Sequence, residues 1–398
     1  MLIPRSQVRA LSRQPFISMY TYDQIRTVHL EITERCNAAC LQCGRNINGG
    51  EDNQYLQNRE LTLQDIKKFF PISFIQQLQH IYLCGNYGDP IVAHDTLEVL
   101  KYFRETNPDL LLSINTNGSA RNKEWWTQLA DILGKNGYVI FSIDGLKDTN
   151  HIYRQNTNWD KIVDSFTSFI QSGGIAHWEF IVFNHNEHQV EEAEQLSQTY
   201  GFKKFQIKKT ARFNSGLEGK VKEGIVVKNK KGKEIELKKP HNQKFINDGL
   251  QELNNKIGGI PSIKLPTTYD EIKNKLFPEL FTGNLVPLYE KTTIDCKVKK
   301  EKSVYISAEG IVQPCCWVGA NMYRWYHMFQ RTQIWRYINK VGLDNISLKH
   351  KTLESIIQGE YFKLIEDSWE LPTCKKGKLM VCAKTCGRDL ETFSKQYT

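Results

Sequence analysis

Three cysteines stand close together in Cys36-Asn37-Ala38-Ala39-Cys40-Leu41-Gln42-Cys43, with three and then two residues between them. A single loop of that spacing can turn all three side chains toward one point. Thiolates are soft ligands that favour iron-sulfur clusters, zinc or copper(I). Three of them on a four-iron cubane leave one iron without a protein ligand, and an open coordination position is where chemistry can occur. A zinc-binding loop is the plain alternative, although structural zinc sites usually pair CxxC-type knuckles. A second set follows much later in the chain: Cys296, Cys315, Cys316, Cys374, Cys382 and Cys386.

Other polar groups cluster where apolar runs end. The run His80 to Cys84 leads into Gly85-Asn86-Tyr87-Gly88-Asp89-Pro90. Glycine there allows close backbone approach and proline stiffens the turn. In Ser113-Ile114-Asn115-Thr116-Asn117-Gly118 the period of two puts Ser113, Asn115 and Asn117 on one face, where they must find hydrogen-bond partners. Ser142-Ile143-Asp144-Gly145 closes a further run, and Arg154 comes ten residues after Asp144. A guanidinium can hold a carboxylate with two prongs, and the ordinary alternatives are a surface ion pair for Arg154 and a turn cap for Asp144.

Together these residues resemble the radical S-adenosylmethionine (radical SAM) superfamily, whose signature is a CxxxCxxC loop after the first strand of a partial barrel. The Gly88-Asp89-Pro90 ending is similar to the family's GGEP motif, with Asp in place of Glu. The stretch from Asp144 to Arg154 resembles its DGxxxxHDxxR segment, matched at the ends, with Asn150 and His151 where His and Asp usually stand. Gln42 occupies a position that is often aromatic in the family. The resemblance implies a SAM-binding 4Fe-4S cluster on Cys36, Cys40 and Cys43. It further implies a SAM pocket from Gly88, Asp89, Pro90 and Asn115, with Ser142 and Arg154 for the SAM carboxylate and Asp144 for the ribose.

The late cysteines carry a second resemblance. Cys296 is followed by thirteen residues, Gly310, four residues and Cys315, and the chain then offers Cys382-Ala383-Lys384-Thr385-Cys386. This is similar to the SPASM/twitch extension, though Gly377 stands where a CxxC partner of Cys374 would be. The resemblance implies one auxiliary 4Fe-4S cluster on Cys296, Cys315, Cys382 and Cys386. Cys374 could replace Cys382, and a structural zinc is the alternative occupant. Cys316 is disfavoured because neighbouring side chains diverge in extended backbone. Cys84 reads as a core thiol, and it or Cys316 could donate a hydrogen atom if it faced the substrate.

The elements that must position these groups are legible between Thr27 and Thr210. Strands are expected at Thr27 to Thr33, His80 to Cys84, Leu110 to Asn115, Tyr138 to Ile143, Trp178 to Phe183 and Lys204 to Ile207. Helices are expected between them at Leu63 to Phe70, Asp95 to Glu105, Lys123 to Leu133, Trp159 to Gln171 and Glu187 to Thr199. Near-continuous apolar strands alternating with helices argue for a parallel sheet whose site lies at the strands' C-terminal ends. The fold class is therefore α/β, a partial (β/α)6 TIM-like barrel with a C-terminal SPASM/twitch-like auxiliary domain. Its expected divisions are a lead-in over 1–26, the barrel over 27–210, a lysine-rich insertion over 211–295 and the auxiliary domain over 296–398. Within the insertion, Gly224 to Val227 and Glu234 to Leu237 flank a turn and read as a hairpin with solvated lysines. Gly258 to Pro261 reads as a loop, and Val304 to Ser307 with Gly310 to Val312 as a second hairpin.

With 40% apolar and 24% charged residues the chain reads as globular, and its apolar runs are far below the roughly 18 residues a membrane helix needs. No membrane partner and a cytoplasmic location are expected. The net charge of +9 permits an anionic partner without requiring one. The resemblance implies an enzyme that cleaves SAM reductively to a 5′-deoxyadenosyl radical, with flavodoxin or ferredoxin as electron donor. A peptide or protein side chain is the first expectation for substrate, with small-molecule dehydrogenation and tRNA modification as the alternatives.

Overall fold

The computed structural model describes residues 19–46, 50–215, 220–247, 249, 286–322 and 328–388. Six strands follow one another as β1 (Thr27–Leu30), β2 (His80–Leu83), β3 (Leu111–Thr116), β4 (Gly137–Ser142), β5 (Ala176–Ile181) and β6 (Lys204–Lys208). They lie side by side in that order and all pair in parallel. Helices fill the returns: α1 (Leu63–Phe69) and α2 (Ile72–Gln77), α3 (Thr96–Thr106), α4 (Lys123–Leu133), α5 (Asn150–Tyr153) and α6 (Trp159–Gln171), and α7 (Val190–Tyr200). This is the expected partial (β/α)6 arrangement.

Local chemistry sets the helix ends. Thr62 and Asp65 form a capping box on α1, while Asn122 and Asn158 accept the Trp125 and Lys161 N–H groups at 3.0 and 2.9 Å to start α4 and α6. Gly201 stops α7 at φ 85°, a conformation that a Cβ would strain.

The strands alternate more than their sequence suggests. Val28, Leu30, Ile81, Leu83, Leu112, Ile114, Val139, Phe141, Trp178 and Phe180 are buried on the helix side. Each such side chain contributes about 1.5–3 kcal/mol by leaving water. The opposite face is polar and lines the barrel interior. His29 stacks on Tyr82 at 4.4 Å and Tyr138 on His177 at 4.7 Å. His80 Nε2 meets Ser113 Oγ at 2.9 Å, and Lys208 pairs with Glu179 at 3.3 Å. The sheet therefore has an apolar outer face and a polar inner one.

The sheet does not end at β1. The strand Ser303–Ile306 adds to it in parallel, Thr27 opposite Ser303 and Leu30 opposite Ile306, and Val312–Gln313 returns antiparallel. The expected hairpin between Cys296 and Cys315 is thus present, and it extends the barrel sheet. Ile334, Ile338, Ile357, Phe362 and Ile365 of the C-terminal helices join the same apolar core. Tyr20, from the lead-in, donates to the Ser303 carbonyl.

The lysine-rich hairpin also forms, Gly224–Lys228 antiparallel to Glu234–Lys238. It is more than a solvated edge. Val227 and Leu237 are buried against Leu41, Tyr153, Phe183 and Phe213, so the hairpin covers the first cysteine loop. The Gly258 to Pro261 loop lies outside the described residues.

Candidate functional site

The loop from Cys36 to Cys43 leaves the C-terminal end of β1 and is tied to the segment after α5. Ala39 N–H donates to the Gln155 carbonyl at 2.9 Å and Leu41 N–H to that of Tyr153 at 3.3 Å, while Cys43 N–H closes a turn on Cys40 at 3.0 Å. Arg45 donates to the Glu34 carbonyl, and the Glu34 carboxylate accepts the Gln57 and Arg59 N–H groups, each at 3.0 Å. Leu41 is fully buried and anchors the loop.

The three thiols are half-buried. Burial pushes the Cys36 thiol up, with Asp89 and its sister cysteines adding to it. Burial raises Cys40 to about 11 although Arg154 opposes the shift. Three N–H groups nevertheless point at sulfur: Ala38 N–H at 3.3 Å and Asn117 Nδ2 at 3.8 Å from Cys36, and Arg154 Nη1 at 3.8 Å from Cys40. Neutral thiols are weak acceptors, whereas sulfurs of metal-bound thiolates are the usual targets of such donors. Donors aimed at the Cys36 and Cys40 sulfurs fit thiolates that hold an iron-sulfur cluster.

Beside the loop runs the turn Gly85–Pro90, and here the glycines are required. A Cβ on Gly88 would stand 1.8 Å from the Thr33 carbonyl oxygen, and one on Gly85 2.0 Å from that of Gly88. Asp89 N–H donates to the Arg35 carbonyl at 2.8 Å, so the turn lies directly on the entry to the cysteine loop. The Asp89 carboxylate is used internally, accepting from Asn117 N–H at 2.8 Å and Asn117 Nδ2 at 2.6 Å. What Gly88, Asp89 and Pro90 can offer a ligand is their backbone.

Asp144 and Arg154 are brought together. Arg154 Nε donates to Asp144 Oδ2 at 2.6 Å, and Asp144 Oδ1 accepts the Ile181 N–H at 2.6 Å. Burial works against the Arg154 charge, but Asp144 and the Cys40 thiol outweigh it and hold the guanidinium protonated. Ser142 and Asn115 sit on β4 and β3 toward the same strand ends, both half-buried.

At the β1 edge of the sheet, Cys296, Cys315, Cys382 and Cys386 line one cavity of about 280 Å³ that His29 and Tyr82 also border. The hydrogen bond with Cys296 draws the Cys386 thiol down. Cys374 does not line this cavity; it is buried elsewhere, with its N–H donating to Glu290 at 2.9 Å. That favours Cys382 between the two alternatives. Among the described residues no three His, Cys, Asp or Glu side chains converge tightly enough to hold a single ion. The four thiols share this cavity, with Cys296 and Cys386 in hydrogen-bond contact.

Cys316 also borders the cavity, its carbonyl accepts from Asn86 Nδ2 at 3.2 Å, and burial raises its thiol to about 12. Cys84 is half-buried, and burial raises its thiol to about 12 although Lys208 opposes the shift. Sequence reasoning missed Glu31. Its buried carboxyl accepts the Tyr87 and Gly88 N–H groups at 2.7 and 3.2 Å and the Tyr305 hydroxyl, and burial raises it to about 7 against those bonds. The only signal was a charged residue inside the apolar run that begins at Thr27.

The cysteine loop that follows β1 and the glycine turn at the end of β2 thus lie side by side, as the resemblance to the radical SAM superfamily implies. No protein-family model matches the chain. The FeMo cofactor biosynthesis protein NifB of Methanocaldococcus jannaschii is 28% identical over 123 residues, which are 30% of this chain and 40% of that protein. The chain thus spans about 40% of the length of this curated relative. Among solved structures, Streptococcus suis SuiB bound to S-adenosylmethionine aligns over 74% of this chain and 60% of its own, with 13% identity and a TM-score of 0.45. Native anSMEcpe with bound AdoMet and a peptide aligns over 91% and 89%, with 13% identity and a TM-score of 0.48.

Proposed function

We propose that this chain is a radical SAM enzyme whose first cluster is held by Cys36, Cys40 and Cys43. A 4Fe-4S cluster held there with one iron free of protein ligands would supply the electron that splits SAM into methionine and a 5′-deoxyadenosyl radical, which would take a hydrogen atom from the substrate. The observation that carries this reading is the set of N–H groups aimed at the Cys36 and Cys40 sulfurs beside a backbone turn too tight for any side chain.

The chain's own residues bind and orient. The Gly88-Asp89-Pro90 backbone offers carbonyls to the methionyl ammonium. Arg154, kept charged by Asp144, and Ser142 stand for the carboxylate, while Asn115 faces the ligand from β3. The hairpin over Leu41 keeps water from the loop. In the second cavity Cys296, Cys315, Cys382 and Cys386 hold one auxiliary 4Fe-4S cluster. An electron donor such as a flavodoxin or ferredoxin reduces the first.

The substrate we favour is a peptide or protein side chain. The polar lumen of His29, Tyr82, Glu179 and Lys208 supplies both donors and acceptors, as an amide-rich ligand requires. Nucleic acid is less favoured because lysines of the covering hairpin are already paired, Lys228 with Glu234, Lys230 with Asp52, Lys238 with Glu236 and Lys239 with Glu223. Anaerobically reconstituted protein given SAM, a reductant and candidate peptides should release 5′-deoxyadenosine and alter the peptide's mass. Release of 5′-deoxyadenosine that no peptide stimulates, but a small alcohol does, would move the substrate to the small-molecule class.

A further inference from the structure

The turn Gly85–Pro90 is tied both to Glu31, just after β1, and to the segment that follows Cys315. Glu31 accepts the Tyr87 and Gly88 N–H groups through one carboxylate oxygen and the Tyr305 hydroxyl through the other. Tyr305 lies in the strand Ser303–Ile306, between Cys296 and Cys315. The turn reaches back as well: Asn86 Nδ2 donates to the Cys316 carbonyl at 3.2 Å and the Tyr87 hydroxyl to the Ala320 carbonyl at 2.7 Å. Glu31, Tyr87 and Tyr305 are each at most 3% exposed, so these bonds work without competing water.

Glycine at both Gly85 and Gly88 leaves those backbone units free of side-chain restraint, so the directions of their carbonyls depend on what pins the turn's N–H groups. Here the pin is the Glu31 carboxyl, one oxygen of which takes both N–H groups. The far ends of the two back-reaching bonds are on the short helix Cys316–Ala320, which starts at Cys315. Any ligand that fixes the Cys315 thiol therefore fixes the frame on which the turn hangs.

From this we infer that Glu31 is a positioning residue for SAM, and that the segment Cys315–Ala320 is structurally part of the SAM pocket, so that filling the C-terminal thiol cavity tightens SAM binding. The inference rests on the radical SAM reading above. By linkage, bound SAM steadies the C-terminal site to the same degree.

The test is SAM binding to the full chain, reconstituted without oxygen, by equilibrium dialysis with labelled SAM. Glu31→Met and Tyr87→Phe should each raise the dissociation constant about tenfold, the size expected for losing one or two buried hydrogen bonds. Glu31→Gln keeps a carbonyl for the two N–H groups and an amide for the Tyr305 oxygen, and should return to within about threefold of wild type. A pure folding defect would not be repaired in that way. The Michaelis constant for SAM should rise with kcat for 5′-deoxyadenosine release unchanged. Cys382→Ser should weaken SAM binding as Tyr87→Phe does, and the double variant no further. If Glu31→Met does not fold, Tyr87→Phe, which removes one hydroxyl, decides alone. Wild-type affinity in folded Tyr87→Phe carrying its first cluster would overturn the inference. Failure of the underlying reading is separate: it would show as wild-type protein with that cluster in place binding no SAM.

Discussion

Replacing Asp144 by alanine isolates what the Asp144–Arg154 pair does. Asp144 is fully buried and Arg154 nearly so, and the pair is joined at 2.6 Å. Removing one member of a buried ion pair leaves the other charge uncompensated, a cost of about 3–5 kcal/mol. Asp144 also accepts the Ile181 N–H, whose loss adds to the same cost. Unlike a buried carboxylic acid, the guanidinium cannot escape by losing its proton. Asp144→Ala should therefore lower the melting temperature by several degrees in matched reconstituted samples, and Arg154→Met by less, since the stranded carboxyl can take up a proton. The double variant should be more stable than the sum of the two losses, because neither charge is then left alone. SAM binding separates the roles: Asp144→Asn should keep the fold better than alanine yet still weaken SAM through a displaced Arg154. A thermal-shift series with labelled-SAM dialysis reads both. Asp144→Ala melting with wild type, or additive losses in the double variant, would refute the claim that this pair is a buried, mutually dependent unit.

Glu31 makes stability depend on pH. Its folded value of about 7 lies above that of an unfolded carboxyl, so its contribution is complete below roughly pH 4.5 and is lost as pH rises through about 7. Melting curves from pH 5 to pH 8 should show Glu31→Gln gaining on wild type as pH rises and levelling above 7; a constant difference would contradict this. Gly88→Ala must push the turn off Thr33 and should abolish SAM binding while circular dichroism stays close to wild type. Cys382→Ala should remove about half the iron of a protein with two four-iron clusters, whereas Cys374→Ala should leave iron and sulfide unchanged, as metal analysis would show. Phe141→Ala, in the aromatic layer with Trp126 and Phe169, should destabilise by about 3–5 kcal/mol in denaturant unfolding without changing the spectrum of the first cluster.

Much of the barrel was legible because its signals are local. Asn122 and Asn158 mark helix starts, Gly201 marks a stop, and each β-branched run is bounded by turn residues. The cysteine loop was legible for the same reason, its spacing being complete within one loop. Cys296, Cys315, Cys382 and Cys386 could be chosen from spacing, but the choice against Cys374 needed the cavity. What could not be read depends on partners far apart in the chain. Ser303–Ile306 adds beside β1 because its apolar residues complete an edge formed by Thr27–Leu30, and no local pattern names that edge. Glu31 looked like one charge in a strand until Tyr305 and the Tyr87 turn closed around it. The hairpin lysines suggested an open surface, while the Val227 and Leu237 face that seats the hairpin on Leu41 alternates too briefly to announce its target. The polar lumen was hidden for a related reason: His29, Tyr82 and Tyr138 read as ordinary strand residues when taken singly.

The most direct measurement compares wild type with Cys36→Ala/Cys40→Ala/Cys43→Ala, both reconstituted without oxygen and given SAM and dithionite. Wild type should form 5′-deoxyadenosine and methionine in equal amounts, and the triple variant, still holding iron and sulfide at its C-terminal thiols, should form neither. Equal product from the two proteins, or none from wild type with its iron and sulfide complete and candidate peptide present, would contradict the assignment of this loop as the seat of the chemistry.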